Sequence, residues 1–421
     1  MIVVGAGAAG LLAATRAAER GLRTLLLEKN RRPGAKILMS GGTRCNITQN
    51  TDVRGIIAAF GKPGRFLHSA LATLGPTDLV ALLEAEGVAT KVEETGKIFP
   101  QSDKASDVLA ALVRRLERSG CVLALNEPLL KLTRTDGHFQ LVTPLRTIEA
   151  AKVIVTTGGQ SYPGCGTTGD GYAWLAALGH TIVPPRPALT PVTSDAAWVA
   201  ELKGVTIPDV AVRVVKAEPT REDARLNAPH PVLSTEYSVL SAARGSFLFT
   251  HFGLSGPVVL DVSRVITGHP EPKSLALECD FVPDLRGDDL EAVLRRECAA
   301  DGKKQVTGIV ARLVPRRLAE ALTAMLGLAE KQAAQLTTAE RRSLAAALKQ
   351  TRIPISGTRG FKKAEVTAGG VALREVDSST MQSKVVPGVY LAGEILDLDG
   401  PIGGYNFQAA FSTGWLAGSS V

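Results

Sequence analysis

Met1 to Val4 is a short apolar run, followed at once by Gly5-Ala6-Gly7-Ala8-Ala9-Gly10 and an alanine- and leucine-rich helical pattern. Leu25-Leu26-Leu27 then ends on Glu28. Strand, glycine turn, helix, strand and terminal acid form the unit that binds a dinucleotide at the edge of a parallel sheet. Nothing else in the chain restricts its fold as strongly. Gly5 permits the tight turn, Gly7 lets backbone N–H groups approach a pyrophosphate, and Gly10 lets the helix pack close to the strand. Ala8 and Ala9 open the helix, whose positive N-terminus attracts phosphate. Glu28, 23 residues after Gly5, is placed to accept hydrogen bonds from a ribose, with Lys29 beside it. The motif leaves open which dinucleotide binds and what chemistry follows.

At 421 residues the chain has length for two or three domains. No apolar run reaches the ~18 residues that a membrane span requires. The first residues carry no basic segment and are themselves the nucleotide strand, so no signal peptide is expected. Five cysteines, Cys45, Cys121, Cys165, Cys279 and Cys298, are scattered without a CxxC pair. That is the usage of a reduced, cytoplasmic protein, and neither they nor the six histidines have metal-ligand spacing. No metal and no membrane partner are expected. The net charge is +7, and residues 281–363 hold 16 Lys and Arg against 9 Asp and Glu, leaving the rest neutral. This stretch reads either as a solvated helical surface or as a patch for nucleic-acid phosphates.

The expected organisation places a nucleotide-binding domain at 1–187, a β-rich insertion at 188–282, a helical insertion at 283–352, and the C-terminal part of the first domain at 353–421. Helical patterns lie near Arg65–Leu74, Thr77–Glu86, Asp103–Ser119 and Gly169–Leu178. Lys152–Thr157 has the composition of a buried strand and ends on Gly158-Gly159. From 188 to 282, β-branched runs such as Val210–Val215 alternate with Gly and Pro. Leu and Ala at helical spacing mark 287–351. A second GxGxxG, Gly164 to Gly169, follows no strand directly, and the ~20 residues after it contain only Asp170 as an acid, so it reads as a loop before a helix.

Three further stretches are distinctive: Gly34-Ala35-Lys36-Ile37-Leu38-Met39-Ser40-Gly41-Gly42-Thr43-Arg44-Cys45-Asn46-Ile47-Thr48, then Leu248 to Pro257 with Thr250-His251-Phe252-Gly253, then Val366-Thr367-Ala368-Gly369-Gly370-Val371. The last is followed by Gly393-Glu394 and by Gly403-Gly404-Tyr405-Asn406-Phe407-Gln408. With these motifs in this order the chain resembles the BaiN/RdsA-type (YhiN-like) flavoproteins nearly end to end. The resemblance implies an α/β fold, with a Rossmann-like FAD domain of the two-dinucleotide family carrying an inserted β-rich domain and a small helical domain. It also implies FAD at the first motif and a reductase using NAD(P)H. Members are linked to dihydrouridine formation in large-subunit ribosomal RNA and to reduction of a bile-acid intermediate. Two positions depart from the family: Ala35 stands where Arg is usual, and Thr43 where a third Gly is usual.

The residues agree with a flavin. Lys36, Ser40, Gly41, Gly42, Arg44 and Asn46 offer donors and close backbone approach for a pyrophosphate and the polar edge of an isoalloxazine. Gly158 ends a buried strand near the same site, and Gly393-Glu394 ends another, with the acid set for ribityl hydroxyls. Gly404, Asn406 and Phe407 open the last helix, whose N-terminus can face the flavin pyrimidine edge. Reduction of uracil needs a hydride at C6, a proton at C5 and polarisation of the C4 carbonyl, and a small enone needs the same three things. Cys45 inside Arg-Cys-Asn is the first candidate proton donor, though a free cysteine is as readily a small core residue. His251 is second, since histidine titrates near neutrality, and Tyr405 is third. Three functions follow: a reductase of uridine in ribosomal RNA, a reductase or dehydrogenase of a small hydrophobic enone, and a flavin-holding RNA-binding module without turnover. The basic stretch, with Arg316-Arg317, Arg341-Arg342 and Lys362-Lys363, supports RNA, while its few aromatics give no visible stacking platform.

Overall fold

The N-terminal apolar run forms the strand Ile2–Val4, wholly buried in a five-stranded parallel sheet. In the computed structural model, which describes residues 1–135, 137–217 and 237–421, the sheet order is Val389–Leu391, Val153–Val155, Ile2–Val4, Leu25–Leu27, Val122–Ala124. Ile2 sits opposite both Val153 and Leu25, and Val4 opposite both Val155 and Leu27. The Ile, Val and Leu composition of the inner strands follows from burial on both faces, which parallel sheets require. The chain thus brings strands from its first, second and last parts into one register, so every strand end points its loop to the same edge.

The chain divides into two compact units, Met1–Pro187 with Phe361–Val421, and Ala188–Gly360. In the first, the helix Ala8–Glu19 packs along the C-terminal helix Tyr405–Ser420 at backbone contact. A Cβ on Gly414 would strike the Ala9 carbonyl oxygen, and one on Gly418 the Ala13 carbonyl oxygen. Four-residue spacing on both helices puts these small residues on facing stripes. Because Ala9 faces Gly414 and Ala13 faces Gly418, the helices run parallel.

The run Lys62–Ala85 reaches, by length and composition, what a membrane span needs, which the sequence reading did not anticipate. It is built from Lys62–Leu67, His68–Thr73 and Pro76–Ala85, broken at Leu74 ahead of Gly75-Pro76. The carbonyl exposed at that break accepts hydrogen bonds from Gln408 Nε2 (3.0 Å) and Ser412 Oγ (2.7 Å), both buried. The break is therefore a packing site for the C-terminal helix.

The second unit holds a seven-stranded antiparallel sheet in the order Thr351–Pro354, Leu275–Asp280, Thr206–Ala217, Tyr237–Thr250, Gly253–Ser255, Val192–Thr193, Gly357–Thr358. Val210, Val212, Phe247 and Leu277 share one core with Leu290 and Leu294 of Gly287–Ala300, Leu318 of Arg316–Met325 and Leu344 of Thr338–Gln350. Sheet and helices therefore make a single body, without the division expected at 282. The unit extends to Gly360 because Thr351–Pro354 and Gly357–Thr358 are the two edge strands of its sheet.

Gly414→Ala tests the helix contact. Its Cβ has no room beside the Ala9 carbonyl, so the variant is expected to lose about 2 kcal/mol or more. The check is a fall in melting temperature of roughly 4 °C or more by circular dichroism; an unchanged melt would contradict the packing.

Candidate cofactor-binding site

The glycine turn is built by close backbone approach. Gly5 has φ +99°, and a Cβ there would lie 2.7 Å from the Thr156 carbonyl oxygen. A Cβ on Gly10 would strike the Gly5 carbonyl oxygen. Thr156 Oγ1 reaches the carbonyls of Val4 (2.9 Å) and Gly5 (2.8 Å), holding the turn against the neighbouring strand. Gly7 differs: its φ is −82°, and a Cβ there would meet nothing within 4 Å. The open side of the turn therefore lies at the helix N-terminus, where Ala8 and Ala9 start a helix with no side-chain cap and no first-turn acid. Such an end favours an anion.

Glu28 ends its strand buried, 7 % exposed. Its Oε2 accepts the Ala6 N–H (2.8 Å) and its Oε1 the Asn30 N–H (2.8 Å). The carboxylate thus fastens the glycine turn to the second strand, and each oxygen keeps a lone pair for a hydroxyl. Lys29 turns the other way, to Thr168 Oγ1 and Asp170 Oδ2, both at 2.6 Å. That contact ties down the second glycine motif. Gly169 precedes the helix Asp170–Ala177, and Asn30 Nδ2 donates to the Cys165 carbonyl at 3.0 Å. Burial opposes charge on Asp170, but hydrogen bonds from Lys29 and Thr168 hold its carboxyl below the usual range. A carboxylate already occupies the first turn of that helix, which disfavours a phosphate there.

In the loop 34–48, Gly41, Gly42 and Thr43 are all left-handed, with φ of 56°, 67° and 71°. A Cβ on Gly41 would lie 2.9 Å from both Asn46 N and the Phe99 ring, while Gly42 has open space. Thr43 is β-branched in a region that suits glycine, so this departure carries strain. Ser40 Oγ donates to the Ile37 carbonyl (2.9 Å). Arg44 folds back on the loop and out to an acid: Nε donates to the Gly41 carbonyl (3.4 Å), Nη1 bonds Glu93 Oε1 at 2.6 Å, and its guanidinium lies 4.0 Å over Phe99. Cys45 has 0 % exposure, and burial pushes its thiol up to about 12. It is a core residue beside Ile37 and Ile47, without the access that a proton donor to substrate needs. Oriented to satisfy both ends, the Asn46 amide donates to the Thr48 carbonyl (3.1 Å) and accepts the Gly404 N–H (3.0 Å).

Lys36 meets the end of the last strand. Its Nζ donates to Ser161 Oγ (2.7 Å) and Glu394 Oε2 (2.5 Å), and Ser161 Oγ donates to Glu394 Oε1 (2.5 Å). Glu394 Oε1 also accepts the Thr367 N–H at 2.9 Å. Gly158 turns left-handed (φ +73°), and a Cβ on Gly159 would strike Thr367 Oγ1. Gly393 (φ +78°) donates its N–H to Thr413 Oγ1 at 3.0 Å. Ser161, Thr156 and Thr367 were not singled out from sequence, since a single Ser or Thr carries no spacing signal, even for Thr367 inside the distinctive stretch Val366–Val371.

At the last helix, a Cβ on Gly404 would lie 2.6 Å from the Thr48 backbone. Asn406 shapes the preceding loop, accepting the Gly400 N–H (2.8 Å) and donating to the Gly400 carbonyl (2.9 Å). Tyr405 and Phe407 are half-buried in the first turn, Phe407 with its ring 6.0 Å from Phe411. This helix also starts without a side-chain cap or a first-turn acid. Since Ala9 faces Gly414, the two parallel helices begin about 12 Å apart along their axes, at 1.5 Å per residue. Two positive poles so offset suit a ligand with anions at one place and an electron-rich edge at another. The open face at Gly7 and this pair of poles fit FAD.

His251 lies in the other unit, exposed in the turn between Tyr237–Thr250 and Gly253–Ser255. Much of the basic stretch is paired internally. Arg316 bonds Glu320 (3.0 Å), Arg317 donates to the Lys203 carbonyl (2.9 Å), and Arg341 and Arg342 both face Glu291. Lys362 and Lys363 are exposed.

The family described as HI0933-like protein Rossmann domain matches residues 1–420. The ribosomal RNA dihydrouridine synthase of Escherichia coli is 32% identical over 423 residues, covering 100% of this chain and 97% of that protein. The namesake from Haemophilus influenzae is 29% identical, covering 100% and 98%. The 3-dehydro-bile acid delta(4,6)-reductase of Clostridium scindens is 31% identical, covering 100% and 98%.

Two substitutions test the site. Gly7→Ala should fold normally, because a Cβ there meets nothing within 4 Å, yet weaken the bound dinucleotide; absorbance of the purified variant and its melting curve read the two effects separately. Retained cofactor would place the ligand elsewhere. Thr43→Gly should stabilise by about 1 kcal/mol, relief of left-handed strain exceeding the entropy cost of glycine, seen as a melting temperature raised by roughly 2–4 °C.

Proposed function

The chain belongs to the HI0933-like family of Rossmann-domain, flavin-dependent oxidoreductases, and from that membership we propose that it reduces uridine to dihydrouridine in 23S ribosomal RNA, with NAD(P)H as electron source. The observation that carries the reading is the full-length likeness to two proteins named for that reaction. A second reading, reduction of a small hydrophobic enone, is favoured by the equally complete likeness to the bile-acid reductase. Both reactions add a hydride and a proton across a carbon–carbon double bond conjugated to a carbonyl.

FAD, when bound, supplies the hydride. The open face at Gly7 and the first turn of Ala8–Glu19 would bind the pyrophosphate, and Glu28 would accept from the adenosine ribose with its remaining lone pairs. Glu394, oriented by Lys36, Ser161 and the Thr367 N–H, would accept from ribityl hydroxyls. The first-turn N–H groups at Tyr405, Asn406 and Phe407 present a positive pole to the pyrimidine edge, stabilising negative charge there. Cys45 sits in the core, which leaves Tyr405 and His251 as the proton-donor candidates from the sequence. NAD(P)H docks transiently, since the second glycine motif offers it no domain.

Mass spectrometry of 23S ribosomal RNA decides the substrate. One uridine should gain two hydrogens only in cells that carry the protein; RNA unchanged by deletion would move the assignment to the enone. Cys45→Ala should keep turnover within a few-fold and lose about 1–2 kcal/mol of stability from the small cavity. Loss of the true proton donor, in Tyr405→Phe or His251→Gln, should lower turnover by roughly 10²–10⁴.

A further inference from the structure

In the Ala188–Gly360 unit, the two residues that turn the chain from Tyr237–Thr250 into Gly253–Ser255 are His251 and Phe252. Hairpin turns usually carry small polar residues or glycine at such positions. Here an exposed imidazole and a half-buried phenyl ring meet edge to face, with centroids 5.0 Å apart and an interplanar angle of 81°. The guanidinium of Arg359 lies over the Phe252 ring, 4.4 Å from its centroid. Arg359 comes from the far end of the unit. It is brought here because Val192–Thr193 pairs on one side with Gly253 and Leu254 and on the other with Gly357 and Thr358.

The platform is rigid. Thr250 Oγ1 donates to the Gly253 carbonyl (2.9 Å), the Ser194 N–H to the Phe252 carbonyl (3.2 Å), and the Arg359 N–H to the Pro191 carbonyl (2.9 Å). A Cβ on Gly253 would strike the Val192 carbonyl oxygen, so the turn cannot slide. Unlike Arg316, Arg341 and Arg342, Arg359 has no ion-pair partner among the described residues. An aromatic ring, a ring edge and an uncompensated planar cation are thus displayed together with little left to order on binding.

We propose that His251, Phe252 and Arg359 form a docking surface for an unstacked base of single-stranded RNA. The inference rests on the RNA reading above and names residues that would hold that substrate. Single-stranded RNA is recognised by stacking splayed bases on aromatic or guanidinium planes. The Arg359 N–H groups can donate only, which matches the carbonyl oxygens of uracil and the phosphate oxygens beside it. Arg359 belongs to the basic stretch, and Phe252, outside it, supplies an aromatic ring beside that one residue.

The test measures anisotropy of a fluorescein-labelled oligouridylate of about 12 nucleotides, a length within the span of single-strand sites. Arg359→Ala and Phe252→Leu should each weaken binding by about 5- to 100-fold, the value of one stacked base. Arg359→Lys should keep the salt dependence but recover little affinity, because charge returns without the plane. Flavin content and melting curves check that each variant is folded. A second measurement uses the unmutated protein: photocrosslinking to a 4-thiouridine oligonucleotide should yield a modified peptide containing Phe252. Variants within twofold of the unmutated protein, or crosslinks found only elsewhere, overturn the docking surface while leaving the RNA substrate standing. A protein that binds no RNA yet reduces a small enone overturns the RNA reading itself.

Discussion

The structure depends on how closely backbone meets backbone at the glycine turn. The first helix can begin at the sheet edge only because Gly10 lies against the Gly5 carbonyl and Gly5 lies against Thr156. The same helix is held from its other side by Gly414 and Gly418, which rest on the carbonyls of Ala9 and Ala13. Strand, turn, first helix and last helix are therefore one packed object, although they come from opposite ends of the chain. Removing side chains at these contacts costs conformational entropy. In return the two helix N-termini are fixed relative to the sheet to within the tolerance of backbone packing, and a ligand spanning them finds its electrostatic partners already in place.

The charges around this frame follow a consistent division. Both helices that open towards the cofactor site lack a first-turn acid and a side-chain cap, whereas the helix after the second glycine motif begins with Asp170, bonded to Lys29. One set of poles is left for an external anion and the other is neutralised from within. The acids that do lie near the site are held by defined donors: Glu28 by two backbone N–H groups, Glu394 by Lys36, Ser161 and a backbone N–H. A carboxylate so bonded is held in one orientation and can still accept from a hydroxyl.

This explains which parts of the site were legible in the sequence. The glycine turn, Glu28 and Glu394 declare themselves because each stands at a strand end, where spacing alone fixes the position. Cys45 and Arg44 lie in an irregular loop, and no periodicity says that the first points into the core and the second towards Glu93 and Phe99. The pairing of charges in the basic stretch was hidden for a related reason. A count of charges registers Arg316-Arg317 and Arg341-Arg342, but the partner of Arg341 and Arg342 is Glu291, some fifty residues away. The helical and β-rich stretches differ in pattern yet share one core, since amphipathic helices show an apolar face without showing what covers it.

Thr43 shows how the chain tolerates a departure at the site. Three consecutive left-handed residues, Gly41 to Thr43, make a turn that glycine adopts freely and threonine does not. The threonine side chain is exposed, so its Cβ meets the solvent side of the loop and not the packed side. There its hydroxyl donates back to the Gly42 carbonyl at 2.5 Å, which offsets part of the strain locally. Gly41 has no such freedom, because a Cβ there would meet Asn46 and Phe99. The strain at Thr43 therefore sits where a side chain has room, between the segment bearing Lys36 and Ser40 and the segment bearing Asn46, whose amide holds Gly404. A residue strained at this point resists relaxation because both neighbouring segments are anchored elsewhere, the first by Glu394 and the second by Gly404.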